Sequence, residues 1–331
     1  MYFCFVKLFD MLTAKVNSIR PDRWNEDTSL SVLMYNEWFL NFFAPTTFKE
    51  ERLKCLDQVI QLSQKTNGFK EISEDLLIAQ LSSLKILRML CAPPIARDRL
   101  AGLVNATSAT IANIETKVNP NAKTLKKIAP SIIRVINALK DVELFNLNKT
   151  LGFPQEQNLK VAEAVISDRL TGALADPKIR NAQEERQLRV IETYLQSKGY
   201  VRFDDPEASA IDLPLGTYSF HKNVLMFKNG FDDSNGYVRT PMDVVIRRKN
   251  SDYKFPLFVE CKSAGDFANT NKRRKEEDTK VSQLRATFGP EVTLDLFLCG
   301  YFDATYLGYE AANHMDWVWE HRIQDFEVLG V

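Results

Sequence analysis

PMDVVIRRKNSDYKFPLFVECK, residues 241–262, contains two runs rich in Val, Ile, Leu and Phe that read as strands, Met242–Ile246 and Pro256–Lys262. Asp243 lies on the first. Glu260, Cys261 and Lys262 follow on the second, with the glutamate seventeen residues after the aspartate. Side chains alternate faces along a strand, so Glu260 and Lys262 point the same way while Cys261 turns into the packed face as a small hydrophobe. Two carboxylates and a lysine at neighbouring strand ends suit a magnesium ion beside a phosphodiester. Magnesium is a hard cation that keeps several waters and takes one or two protein carboxylates together with phosphate oxygens. Asp243 and Glu260 are the candidate carboxylates, with the Cys261 carbonyl as a candidate third ligand. The Lys262 ammonium would orient the attacking water, favour its deprotonation and offset phosphate charge.

A Glu-any-Lys tripeptide is common, and the same residues also suit a hairpin that carries Asp243 and Lys262 as surface charges. The setting says more: an apolar strand at each half of the motif, then a charged helix, then another apolar strand. This arrangement resembles the PD-(D/E)xK nuclease superfamily, with Pro241 and Asp243 around its first element, Met242 between them, and Glu260, Cys261 and Lys262 as its second. Three longer strings narrow the resemblance. ECKSAGDFANTNKRRKEEDTKVSQLR (260–285), CGYFDATYLGYEAANHMDWVWEHR (299–322) and ISDRLTGALADPKIRNAQEERQ (166–187) look like the XamI-type family of type II restriction endonucleases, over at least the second half of the chain. The resemblance implies a magnesium-dependent DNA endonuclease of a restriction-modification system. By analogy its target is the hexamer GTCGAC. It further implies double-stranded DNA as substrate, 5′-phosphate and 3′-hydroxyl products, and a cognate DNA methyltransferase acting at the same site. A homodimer is expected, since two sites related by a two-fold axis cut both strands of a palindrome.

The fold class expected is α/β (α+β), a mixed central sheet flanked by helices and preceded by a mainly helical region. Residues 1–178 repeat apolar positions at three and four, as in Leu87, Leu90 and Cys91, or Ile132, Ile133, Ile136 and Leu139, with prolines as punctuation. Residues 179–331 change to short strand-like runs at 216–220, 225–227, 243–246, 257–261 and 294–299. The joint is a helix, 180–197, whose Leu188, Ile191 and Leu195 share a face that also carries Glu184. Nucleases of this superfamily often add an acid from a helix before the sheet, which makes Glu184 a candidate supporting acid; an N-terminal acid on a helix dipole is the plainer alternative. A second helix, 270–287, is built on Val281, Leu284 and Phe288, and its stripe runs back through Glu277 and Arg274. Lys272, Arg273, Arg274 and Lys275 at its start are candidates for phosphate contact, which positions a duplex without reading it. A solvated helix face is the other reading.

RDRLAGLVNATSATIANIETK, residues 97–117, resembles a repressor-like helix-turn-helix. One short helix ends at Val104, Asn105–Thr107 form a turn, and a second helix, 108–116, opens on a serine cap. In that reading Ser108, Thr110 and Asn113 face a DNA groove. Packing or dimerisation is the alternative, because no Arg or Lys precedes Lys117 on the second helix.

Composition removes several classes. With 331 residues, 43 basic and 43 acidic side chains, the chain suits one large or two medium domains with no global charge. Positive charge must then be concentrated locally: residues 262–285 hold seven Lys or Arg against four acids, net +3. Five scattered cysteines point to reduced thiols in a cytosol and away from a zinc site. The apolar opening, 1–13, is interrupted by Lys7 and Asp10, so it reads as a buried helix, with no export signal and no bilayer span. The only histidines, His221, His314 and His321, lie far apart, and no nucleophile triad or Gly-rich phosphate loop is evident. His321 sits in a Trp-rich core or dimer element. Two rival functions remain: a non-catalytic helix-turn-helix regulator with a nuclease-like scaffold, and a nuclease of repair or RNA processing.

Overall fold

Among the described residues six strands form one sheet, and they follow one another across it in chain order. They are β1 (Val201–Arg202), β2 (Thr217–Phe227), β3 (Tyr237–Arg247), β4 (Leu257–Ala264), β5 (Thr293–Gly300) and β6 (Trp317–Trp319). The pairing is mixed: β2, β3 and β4 form an antiparallel meander, while β1 joins β2, β5 joins β4 and β6 joins β5 in parallel. The two short runs expected at 216–220 and 225–227 are one strand, β2, which continues through His221. The computed structural model describes residues 14–331 except 117–120, 153, 229–235 and 269. The opening helix expected over 1–13 lies outside the described residues.

The helices are α1 (Trp24–Glu37), α2 (Ala44–Lys65), α3 (Glu74–Ala79), α4 (Leu84–Met89), α5 (Arg97–Leu103), α6 (Ser108–Thr116), α7 (Ala122–Leu139), α8 (Leu147–Thr150), α9 (Asn158–Ser197), α10 (Thr270–Phe288) and α11 (Ala304–Ala312). Leu188, Ile191 and Leu195 of α9 cover one sheet face, against Val244, Ile246, Val259 and Phe297. Val281 and Leu284 of α10 cover the other, against Val245, Phe258 and Leu294. Beside them Tyr306 and Leu307 of α11 meet Leu296, Leu298, Trp317 and Trp319. Burial on both faces explains why the central strands read as continuous apolar runs rather than alternating ones. Each such side chain removed from water contributes about 1.5–3 kcal/mol before entropy is counted. The Trp-rich segment around His321 is therefore core: Trp317 and Trp319 are both fully buried.

The chain divides into two compact units, one of residues 44–179 and one that joins the segment before 44 to 180–331. The helical unit has its own core, built from Leu62, Leu87, Ile111, Ile132, Ile136 and Ile166 among others. The expectation of one helical region over 1–178 needs correction at its start, because residues 14–43 are grouped with the sheet. Ser31 of α1 accepts the Gly300 N–H (2.7 Å), and Thr28 donates to the Phe302 carbonyl (2.7 Å). Gly300 has φ 103° and runs so close to the Ala264 carbonyl that any Cβ would collide with it. The buried carboxylate of Asp316 accepts the backbone N–H groups of Val16, Asn17 (2.9 Å) and Ser18 (2.8 Å). Sequence periodicity is blind to these contacts, because their partners are about 300 positions apart.

Two local expectations also change. The helix expected to start at Arg180 starts at Asn158 and carries Pro177 inside it. In the helical unit the second helix of the helix-turn-helix-like pair opens on Thr107 rather than Ser108: the Thr107 hydroxyl accepts the Thr110 N–H at 3.1 Å. Asn105 takes a left-handed φ of 52° in the turn, as such a pair requires. Ile111 and Ile114 are buried, and Glu115 is held by Arg88 (2.6 Å) and Arg97 (3.0 Å). Ser108 and Asn113 are exposed and Thr110 is half-buried, bonded to Thr107.

Candidate active site

The β3–β4 ladder pairs Ile246 with Leu257 and Val244 with Val259, and stops there. Beyond that point the Cys261 N–H turns from its lost ladder partner to the Asp243 side chain, donating to Oδ2 at 2.8 Å. Successive backbone groups alternate edges along a strand, so the Cys261 carbonyl lies on the same edge as that N–H. Its thiol is pushed well above the ordinary cysteine range by burial, then by Asp243 and Glu260, and stays neutral. From the other edge Gln187 of α9, almost fully buried, donates to the carbonyls of Lys262 (3.3 Å) and Phe297 (3.1 Å). It holds the end of β4 against β5.

Asp243, Glu260 and Lys262 come together at this strand end. Glu260 is 2% exposed, with Lys280 of α10 at 2.7 Å from Oε1 and Lys262 at 3.5 Å from Oε2. Burial, then the Glu260 charge, pushes Asp243 up to about 6, against the opposing pull of the Cys261 N–H and the two lysines. Lys262 also lies 3.7 Å from Glu277, which accepts the Tyr306 hydroxyl at 2.8 Å. Beneath them Glu310 is pushed up to about 9 by burial and by Glu277, so it is neutral at pH 7 and can share its proton with Glu277.

Sequence reasoning placed Glu184 on the sheet-facing side of α9, and the structure brings it to Asp243. It missed His221. In β2 the partners Phe220 and Val244, then Lys222 and Met242, bracket the opposed pair His221 and Asp243. On one side of that pair Tyr218, Phe220 and Val244 pack under α9, and on the other Val224, Met226 and Met242 pack under α10. His221 makes the change of face with φ 48°, in a region where a non-glycine residue carries strain of about 1–3 kcal/mol. Its Nδ1 is 3.7 Å from Glu184 Oε1, and one ligand atom each of Glu184, His221 and Asp243 fall within 4.8 Å of one another. The sequence signal was available only by counting equal steps outward from the link between Phe227 and Tyr237. Lys280 was also missed, although it lies three residues beyond Glu277 on the stripe that was read.

The basic start of α10 is less uniform than its sequence. Arg274 is half-buried with its guanidinium 4.7 Å from the Tyr309 ring centre, and Lys275 is exposed. The side chains of Lys272 and Arg273 lie outside the described residues. Ser108, Thr110 and Asn113 belong to the helical unit. The described cysteines Cys55, Cys91, Cys261 and Cys299 are all free thiols, and no helix of the described residues is long and apolar enough to cross a membrane.

Comparison with known proteins matches the site and much of the rest of the chain. The sequence model of the XamI restriction endonuclease family matches residues 67–319, a span that contains every acid and lysine of the site. The "Type II restriction enzyme SalI" of Streptomyces albus G is 43% identical over 325 residues, covering 95% of this chain and 99% of that protein. No solved structure matches the chain. The motif at the β3–β4 strand end therefore stands within a likeness that runs almost the full length of the chain: it belongs to the XamI restriction endonuclease family and is a site-specific deoxyribonuclease.

Proposed function

We propose that this deoxyribonuclease makes sequence-specific double-strand cuts by magnesium-dependent phosphodiester hydrolysis, leaving 5′-phosphates, as a type II enzyme acting as a homodimer. By analogy with the family its target is GTCGAC, the site at which a cognate methyltransferase would act. The observation that carries the reading is the convergence of two carboxylates, Asp243 and Glu260, whose repulsion adds to burial in raising Asp243. A divalent cation relieves that repulsion, and the donors are hard oxygens of the kind magnesium takes. Asp243 and Glu260 would hold the ion, the Cys261 carbonyl would add a third oxygen, and Glu184 would support them. When bound, the ion supplies Lewis acidity at the scissile phosphate. Lys262, held between Glu260 and Glu277, orients the attacking water and offsets charge that grows on the phosphate in the transition state. Gln187 fixes the strand end that carries it.

Incubating the purified protein with phage DNA and magnesium tests the reading. Discrete fragments with ligatable 5′-phosphates are expected, and sequencing their ends gives the target. Retarded but intact DNA would favour a non-catalytic regulator, and a smear would favour a repair nuclease. Metal binding should also follow pH in a set direction. Asp243 must give up its proton to bind a cation, and its level is about 6. Mg²⁺ affinity should therefore be level above pH 7 and fall by up to about tenfold for each unit below pH 6. Isothermal titration at pH 5 and pH 7.5 checks this, and equal affinities would remove Asp243 from the ion.

The basic start of α10 is proposed to hold backbone phosphates. Changing Arg274 and Lys275 to Ala should weaken binding similarly for cognate and unrelated DNA, and make the slope of log affinity against log salt shallower by about one for each phosphate no longer neutralised. Arg274 is also stacked on Tyr309, so Lys275→Ala alone separates phosphate contact from packing. A changed cleavage sequence would instead make this helix a reader of base edges. For Ser108, Thr110 and Asn113 a groove contact remains a proposal, and α6 carries no exposed cation among its described residues.

A further inference from the structure

Glu184, His221 and Asp243 come from three different elements, α9, β2 and β3, and converge on one point. Around an ion with bonds of about 2.1 Å, adjacent ligand atoms stand about 3 Å apart and opposite ones about 4.2 Å. The observed 3.7 Å between His221 and Glu184 needs to close by about 1 Å for adjacent ligands, and the limit of 4.8 Å over all three by at most about 2 Å. The charge is also right, since two carboxylates and one imidazole balance a divalent ion. Asp243 Oδ2 accepts the Cys261 N–H at 2.8 Å, and a carboxylate offers a second oxygen for a cation. Among the described residues Glu184 makes no ion pair with a lysine or arginine, whereas Glu260 is paired with both Lys262 and Lys280. The imidazole and Glu184 are about half exposed, so an ion can enter from solvent.

We propose that His221, with Glu184 and Asp243, forms a cation position of its own that shares Asp243 with the Asp243–Glu260 pair and accepts a nitrogen ligand. It rests on the nuclease reading above and adds to it a residue and an ion preference. For a site with a nitrogen ligand, affinity rises along the first-row ions from manganese through cobalt, and magnesium, whose preferred ligands are oxygens, lies below them. The position therefore takes Mn²⁺ ahead of Mg²⁺, and His221 is the residue that makes the difference.

Pulsed electron spin resonance of the full chain loaded with Mn²⁺ reads a directly bound nitrogen. The wild type should show ¹⁴N coupling, and His221→Gln should abolish it. Mn²⁺ binding, followed by the signal of the free ion, should weaken about tenfold or more in His221→Gln while Mg²⁺ binding changes less than about threefold. Glu184→Gln should weaken Mn²⁺ binding and keep the nitrogen coupling, which decides the matter even where the histidine variant does not fold. A wild type that binds Mn²⁺ without nitrogen coupling, or coupling that persists in His221→Gln, overturns the proposal. Neither result touches the parent reading, which fails on a separate outcome: full magnesium-supported cleavage by Asp243→Ala.

Discussion

Asp243→Ala, Glu260→Ala and Lys262→Ala should each slow single-turnover cleavage by about a thousandfold or more while DNA is still bound. In the proposed mechanism the carboxylates and the amine act on one phosphate, so their losses should not add. A double variant should be little worse than the worse of its two singles. The surroundings grade the three. Removing the Glu260 carboxylate leaves Lys262 and Lys280 beside a vacated buried position, so Glu260→Gln is the variant that separates chemistry from stability. Removing Lys262 leaves Lys280 already 2.7 Å from Glu260 as a partial substitute for its charge. Lys262→Ala should therefore keep more activity than Asp243→Ala. Quenched-flow cleavage of a labelled duplex gives these rates, and near-wild-type cleavage by any one variant takes that residue out of the site.

Asp316→Ala should destabilise the sheet unit by about 3–5 kcal/mol, a large part of the total stability of an ordinary domain. One carboxylate, 3% exposed, accepts the N–H groups of Val16, Asn17, Ser18 and Trp317, and alanine leaves those buried donors without it. A partial offset comes from Asp295, which burial and then Asp316 push up to about 7. Below pH 7 Asp295 is neutral and gains nothing when Asp316 goes; above pH 7 it is charged and is relieved. The loss should thus be larger at pH 6 than at pH 8. Urea unfolding followed by tryptophan fluorescence reads it, and trypsin should cut faster after Lys15 and Arg23. An unchanged midpoint with unchanged proteolysis would show that the N-terminal segment is held by other means.

The sheet was legible where burial is two-sided, because Leu257–Val259 and Leu294–Leu298 have no polar residue at the alternate positions except the buried Asp295. The core stripe of α10 was legible too: Val281 and Leu284 are buried, and Glu277 lies on the same buried line. Two kinds of information escaped. Pairing of distant segments leaves no periodic trace, so the docking of residues 14–43 on β5 and β6 was invisible. The register of a hairpin sets partners by counting, and a histidine in mid-strand looks like any surface residue until its opposite number is known. Lys280 escaped for a simpler reason, since a lysine in a charged helix reads as solvated.

The Asp316 anchor also sets an order of assembly during synthesis. Val16 leaves the ribosome early, but the carboxylate that binds it is encoded 300 residues later. At about 5–20 residues per second that separation amounts to roughly 15–60 s of translation. In the last part of that interval, once β4 (Leu257–Ala264) has been made, the β3–β4 motif is present while the segment that closes the unit has no surface to dock on. A nascent chain therefore carries Asp243, Glu260 and Lys262 before the unit that holds them has a finished fold. Closure of the unit that carries Asp243 and Glu260 waits for β6 (Trp317–Trp319) and the Asp316 beside it.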